Sequence, residues 1–170
     1  MIFDPNATEP GGQRFDRNNE NSFPVISERL SPGSDLNAGE RPRVLLVEDE
    51  DDLRVLLGRV LVKRLCADVT LAVDGLDGVR RLRDREYELI VSDVRMPRLS
   101  GAALFDWTRT NRPDQAERFL FITGDPGSDE NIAMLKSSGR TVLRKPILLA
   151  DFERHCRRLL QPAARSAQAV

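Results

Sequence analysis

The chain has 170 residues, of which 40% are hydrophobic and 31% charged, and its formal net charge is −1. That is room for one packed domain plus extras, with no case for a nucleic-acid or acidic-substrate surface, no apolar run near the roughly 20 residues of a membrane span, and no secretory leader. Cys66 and Cys156 are far apart and in no metal-ligand spacing, so they read as incidental thiols of a reducing compartment, and a soluble cytoplasmic protein is the expectation.

Residues 1–41 are rich in Asn, Pro, Gly, Ser and acids, with few apolar residues and no periodicity. Such a segment buries too little surface to offset its ordering entropy and reads as a disordered tail or linker. From residue 42 the pattern changes. Val44-Leu45-Leu46-Val47 is a buried strand that ends in Glu48, Asp49 and Glu50. Asp51 and Asp52 suit the cap and positive end of a helix reaching Leu65, with Leu53, Leu56, Leu57, Val60, Leu61 and Leu65 as its apolar stripe. Ala67 to Ala72 is a second strand, Asp74-Gly75 a turn, and Leu76 to Arg83 a shorter helix with a basic face.

Leu89-Ile90-Val91-Ser92-Asp93 is an apolar, β-branched run too short for a helix. It reads as a third strand ending at Asp93, before the turn Met96-Pro97-Arg98-Leu99-Ser100-Gly101. Ser100 suits the N-cap of a helix from Ala102 to Thr110. Arg118 to Thr123 is a fourth strand, Gly124-Asp125-Pro126-Gly127 a loop, and Ser128 caps a helix that Gly139 ends. Thr141 to Arg144 is a fifth strand, stopped at Lys145-Pro146. A last helix, Leu149 to Leu160, turns Phe152, Cys156, Leu159 and Leu160 inward and Arg154, Arg157 and Arg158 outward, and residues 162–170 form a short flexible tail. Strands alternating with helical crossovers predict an α/β fold: a five-stranded parallel sheet, doubly wound.

In a parallel sheet all strand C-termini face one edge, and ligands of open α/β sheets bind there. Glu48, Asp49, Asp93, Thr123 and Lys145 all stand at such ends. Singly, each has a plain reading: a solvated acidic run, a turn-capping Asp, a strand-end hydroxyl, a surface lysine. Jointly they read differently. Clustered carboxylates repel, and a divalent cation relieves them; an all-oxygen set suits Mg2+. A hydroxyl and an ammonium at the opposite rim suit phosphoryl oxygens. Asp93 is then the candidate nucleophile, since a carboxylate takes up phosphate as an acyl phosphate.

These residues resemble a family. The stretches 44–50 (Val-Leu-Leu-Val-Glu-Asp-Glu), 89–97 (Leu-Ile-Val-Ser-Asp-Val-Arg-Met-Pro), Ser100-Gly101, 121–124 (Phe-Ile-Thr-Gly) and 144–146 (Arg-Lys-Pro) look like a receiver domain of two-component response regulators, the CheY-like superfamily, over residues 42–161. The resemblance implies a flavodoxin-like/CheY-like fold with strand order 2-1-3-4-5. Asp93 matches the phospho-accepting aspartate, Glu48 and Asp49 the acidic pair that holds Mg2+, and the Arg95 carbonyl the backbone metal ligand. Thr123 matches the hydroxyl that moves towards the phosphate, Lys145 the lysine that pairs with a phosphoryl oxygen, and Pro146 the cis-proline after it. The implied donor is a sensor histidine kinase or a histidine phosphotransfer protein. Such a domain catalyses only its own phosphorylation and dephosphorylation, acts by protein contact without nucleic acid or membrane, and admits a phosphorylation-dependent homodimer. No output module is expected after the last helix.

Two departures stand out. Glu48 replaces the commoner Asp, and Val142, three residues before Lys145, stands where receivers often carry Tyr or Phe. Arg95 and Asp125 occupy the variable positions flanking the site and are expected to pair across its mouth. The opening Met1-Ile2-Phe3-Asp4-Pro5 faintly resembles the ATP-lid segment of histidine kinases, but the glycine-rich boxes are absent. His155 reads as a packing or surface residue. Two other readings stay open: a receiver-shaped interaction module that is not phosphorylated, for which Val142 leaves room, and a haloacid-dehalogenase-type phosphatase, whose Asp-x-Asp pattern residues 48–51 do not supply.

Overall fold

The structure, a computed structural model, describes residues 41–124, Leu135 and residues 138–161. The expected tails, apart from Arg41, and the helix expected after Ser128, apart from Leu135, lie outside the described residues, as does Asp125.

Five strands, β1 (Arg43–Val47), β2 (Asp68–Ala72), β3 (Leu89–Asp93), β4 (Phe119–Thr123) and β5 (Thr141–Arg144), form one parallel sheet in the order β2-β1-β3-β4-β5. The described helices are α1 (Asp51–Leu65), α2 (Gly75–Asp84), α3 (Gly101–Asn111), the short α4 (Pro113–Ala116) and α5 (Leu149–Leu160). The sheet is covered on both sides, which is why β1, β3 and β4 are nearly unbroken apolar runs. Leu45, Val47, Ile90, Phe119 and Phe121 pack with Val79 and Leu82 of α2 and Leu104 and Phe105 of α3. Val44, Leu46, Leu89, Val91, Leu120 and Ile122 pack the other way, with Leu57 and Leu61 of α1 and Phe152 and Cys156 of α5. Phe105 meets Phe119 and Phe121 edge-on, at 5.2 and 5.5 Å between ring centroids.

The chain leaves β1 for β2 on one side and reaches β3 on the other. The order therefore reverses between β1 and β3, and the crevice of a doubly wound sheet opens beyond their C-terminal ends. Register aligns those ends: Val47 faces Ser92, Asp93 faces Ile122, and Thr123 faces Arg144. Three backbone bonds carry the pairing one step past the strands, from Glu48 N to Ala72 O (3.1 Å), Val94 N to Ile122 O (2.9 Å) and Lys145 N to Thr123 O (2.7 Å).

Local capping follows the sequence in part. Asp74 accepts from Asp77 N at the start of α2, and Ser100 accepts from Ala103 N at the start of α3. The N-cap of α1 is Glu50, with no side-chain cap bond, so Asp51 and Asp52 act instead as first-turn acids favoured by the helix dipole. The expected apolar stripe of α1 also needs correction. Leu56 is exposed, while Arg54 is buried at 5% relative exposure. In the first turn of α1 Leu53 packs on the sheet core, but Arg54 beside it faces the acidic loop, so a long hydrogen-bonding side chain fits inward there. Helix α4 was not expected; four residues fall below any periodicity, although Pro113 at its first turn is a start signal.

The two thiols differ sharply. Cys66 ends α1 in a left-handed conformation, φ 54°, and is exposed, whereas Cys156 is buried on α5 and burial pushes its thiol up to about 12. A chromogenic disulfide reagent at pH 8 is expected to titrate one thiol in the native protein and the second only after unfolding in guanidinium. Rapid reaction of both in the native state would contradict this packing.

Candidate functional site

The site is built where the sheet stops. Glu48 follows β1, Asp93 ends β3, Thr123 ends β4, and Lys145 follows β5. Glu48, Asp93 and Thr123 are buried and Asp49 is exposed. One carboxylate oxygen from each of Glu48, Asp49 and Asp93 can be chosen so that all three lie within 4.8 Å of one another. The structure therefore brings together the three acids expected from sequence. The Lys145 ammonium bridges two of them, donating to Asp93 Oδ2 at 2.5 Å and to Glu48 Oε1 at 3.0 Å. The Lys145–Pro146 peptide bond is cis, as the resemblance implies.

Asp93 is fixed from the other side by its own loop. Arg95 N donates to Asp93 Oδ1 at 2.9 Å, so both carboxylate oxygens have a donor. Beneath it, Ser92 Oγ donates to the Asp93 carbonyl at 2.9 Å, and Gly101 N donates to Val94 O at 3.0 Å. Helix α3 thus starts directly against the backbone of Asp93.

The electrostatics ask for more positive charge than one lysine. Burial, then the neighbouring Asp93 carboxylate, pushes the Glu48 carboxyl up to about 7, against the hydrogen bond and charge of Lys145. Burial alone would lower Lys145, but its hydrogen bonds to Asp93 and Glu48 outweigh this and hold the ammonium above its usual range. Glu48 Oε2 is buried without a hydrogen-bond partner among the described residues. A carboxylate with one orphaned oxygen, in a cluster with two further acids, fits an oxygen-coordinated divalent cation. Glu48, Asp49 and Asp93 are the side chains that would hold it.

Arg54 is the residue that sequence reasoning missed here. Its Nη1 donates to the carbonyls of Glu48 (2.7 Å) and Asp49 (3.4 Å), and Nη2 pairs with Asp51. The available signal was spacing: a cation one helical turn past the acidic run. Val142 is partly buried and, like Met96, Leu99 and Trp107, packs against the cluster that includes Phe105, Phe119 and Phe121. Position 142 carries no aromatic ring. His155 lies on α5, its Nδ1 3.4 Å from Arg158, outside the acid cluster; burial, then Arg158 and Arg154, lowers its basicity. The expected partner of Arg95, Asp125, lies outside the described residues.

The profile of the response regulator receiver domain matches residues 44–157. The chain belongs to the response regulator receiver family. This receiver is 28% identical over 120 residues to a probable chemotaxis protein CheY of Rhizobium etli, covering 69% of the chain and 92% of that protein. It is 31% identical over 121 residues to the transcriptional regulatory protein PrrA of Mycobacterium tuberculosis, covering 71% of the chain and half of PrrA. Among solved structures, the signal receiver domain of a putative Luxo repressor protein from Vibrio parahaemolyticus superposes with a TM-score of 0.64 at 28% identity, covering 73% of this chain and 93% of that one. The receiver is thus a part of two-component signalling, its acidic cluster fits magnesium, and no helix among the described residues is long and apolar enough to cross a membrane.

Proposed function

We propose that this receiver accepts a phosphoryl group on Asp93 from a phosphohistidine of a sensor kinase or phosphotransfer protein, with Mg2+ held by Glu48, Asp49, Asp93 and the carbonyl of Arg95. The observation that carries the reading is Lys145 joined at once to Asp93 Oδ2 and Glu48 Oε1. That single ammonium is set to pass from a carboxylate oxygen to an oxygen of the incoming phosphoryl group without moving far. Asp93 attacks phosphorus, the bond from phosphorus to the donor imidazole breaks, and the phosphoryl group ends as an acyl phosphate. Magnesium, when bound, neutralises charge on the phosphoryl oxygens. Lys145 offers an ammonium to one of those oxygens, and the Thr123 hydroxyl offers a hydrogen bond to another. The Arg95 amide, now on Asp93 Oδ1, keeps the carboxylate oriented for attack.

Val55 and Leu56 on α1 and Leu148 and Leu149 at the start of α5 expose apolar surface on the two helices that follow Asp49 and Lys145. They offer the donor protein a contact beside the nucleophile, and output runs through protein contact in the same way. A second reading, an interaction module that takes no phosphate, draws its support from Val142. Acetyl phosphate separates the two: a magnesium-dependent, acid-stable and base-labile adduct is expected, absent when a chelator is present from the start, whereas the module forms none.

The site also sets a pH dependence. The Glu48 carboxyl sits near 7 rather than its ordinary 4.5, so below that value a cation must displace a proton. Magnesium affinity, measured by calorimetry, is expected to be about tenfold weaker at pH 6 than at pH 8, as one-proton competition requires. In the metal-free protein the contribution of this group to stability is fully present below pH 4.5 and lost as pH rises through about 7. A flat affinity profile, or the same slope in Glu48→Gln, would contradict this assignment.

A further inference from the structure

We infer that Arg54 is a positioning residue for the acidic pair, holding the main chain of Glu48 and Asp49 in the arrangement that receives the cation; this rests on the phospho-acceptor reading above. The reasoning starts from the backbone. Glu48 N still pairs with Ala72 O, but residues 48–50 leave the sheet, and their carbonyls have no neighbouring strand to accept from. The acids must nonetheless be held, because a small cation tolerates little error in the position of its ligands.

Arg54 supplies what the sheet no longer does. One guanidinium nitrogen donates to both carbonyls of the pair, at 2.7 Å to Glu48 and 3.4 Å to Asp49, while the other pairs with Asp51 in the first turn of α1. The side chain is 6% exposed, against 83% for Asp51, so the fork is enclosed and its carboxylate partner lies at the rim. Arg54 itself is fixed by its place in α1, where its N–H donates to Glu50 O at 2.9 Å. The loop carrying the acids is therefore clamped to the helix that follows it at three successive carbonyls. An enclosed cation beside the site opposes a second cation by charge alone, so its presence here makes sense as geometry. A planar, multi-donor guanidinium serves two carbonyls and a carboxylate together; lysine has the charge but not the fork.

The test separates geometry from charge. In the full chain, Arg54→Met is expected to weaken magnesium binding, read by calorimetry, about tenfold, in the range usual for groups that orient metal ligands. Arg54→Lys is expected to fall between the two, about threefold weaker than the parent, because it restores one donor of the fork. At saturating magnesium the rate of Asp93 phosphorylation by acetyl phosphate is expected to stay within about twofold of the parent in both, since the nucleophile and Lys145 are untouched. Unchanged or tighter magnesium binding in Arg54→Met overturns the inference, as does a saturating rate that falls in step with affinity. Should Arg54→Met fail to fold, Arg54→Lys decides alone, with unchanged affinity as the overturning result. A parent chain that binds no magnesium removes the phospho-acceptor reading first, and this inference with it.

Discussion

Replacing Lys145 by alanine is expected to slow phosphorylation of Asp93 by acetyl phosphate about 100-fold at saturating magnesium, the usual cost of removing one preorganised charge-stabilising donor. Lys145 donates to Asp93 Oδ2 and Glu48 Oε1 at once, so the substitution removes two contacts. The first matters to the reaction. In the proposed transfer the Asp93 carboxylate gives up its negative charge on bonding to phosphorus and the departing acetate takes it up, so the ammonium now on Asp93 Oδ2 is left to pair with a phosphoryl oxygen. The second matters to the resting site, where Glu48 already lies at about 7 because it is buried beside Asp93. Without the lysine, Glu48 is expected to titrate higher still. Single-turnover phosphorylation with a mass readout checks the rate. A rate within about threefold of the parent would show that the ammonium contributes little to the transition state.

The second large effect lies in the backbone. A Cβ added at Gly101 would stand 2.0 Å from the Asp93 carbonyl oxygen and 2.7 Å from Ser92 Oγ. Neither neighbour is a flexible tip, because the carbonyl belongs to the end of β3 and Ser92 Oγ is bound to it. Gly101→Ala is therefore expected to destabilise the fold by about 2 to 3 kcal/mol, the range for forced overpacking. It is also expected to displace Asp93 from Lys145 and slow phosphorylation. Gly58→Ala is the control: its Cβ meets only the side-chain tips of Leu71 and Leu46, at 3.4 and 3.9 Å, and alanine favours the helix. Urea unfolding of the two variants makes the comparison. Equal stability of Gly101→Ala and the parent would mean that α3 does not press on the end of β3 as described.

Much of this site is legible in the sequence because of how parallel sheets are made. A strand buried on both faces has to be apolar throughout, so the point where Val91-Ser92 gives way to Asp93, or Leu46-Val47 to Glu48, marks a strand end without ambiguity. Parallel connection then sends every such end to one edge. Glu48, Asp93, Thr123 and Lys145 can be placed together though they span 97 positions of sequence from first to last. Arg54 is not legible in the same way. On a helix read by periodicity it belongs to the polar face and Leu56 to the apolar one, yet Arg54 is buried and Leu56 exposed. The partner of Arg54 is a loop whose carbonyls no strand pairs, and hydropathy has no symbol for a carbonyl in need of a donor. The caps show a similar limit: Ser100 and Asp74 use their side chains, while α1 starts at Glu50 without a side-chain bond.

The most direct test of the phospho-acceptor assignment is intact-mass spectrometry of the chain after incubation with acetyl phosphate and magnesium. The parent is expected to gain one phosphoryl group, stable in acid and lost in base, and Asp93→Asn is expected to gain none. Absence of the adduct in the parent, or its persistence in Asp93→Asn, would contradict the assignment of Asp93 as the acceptor.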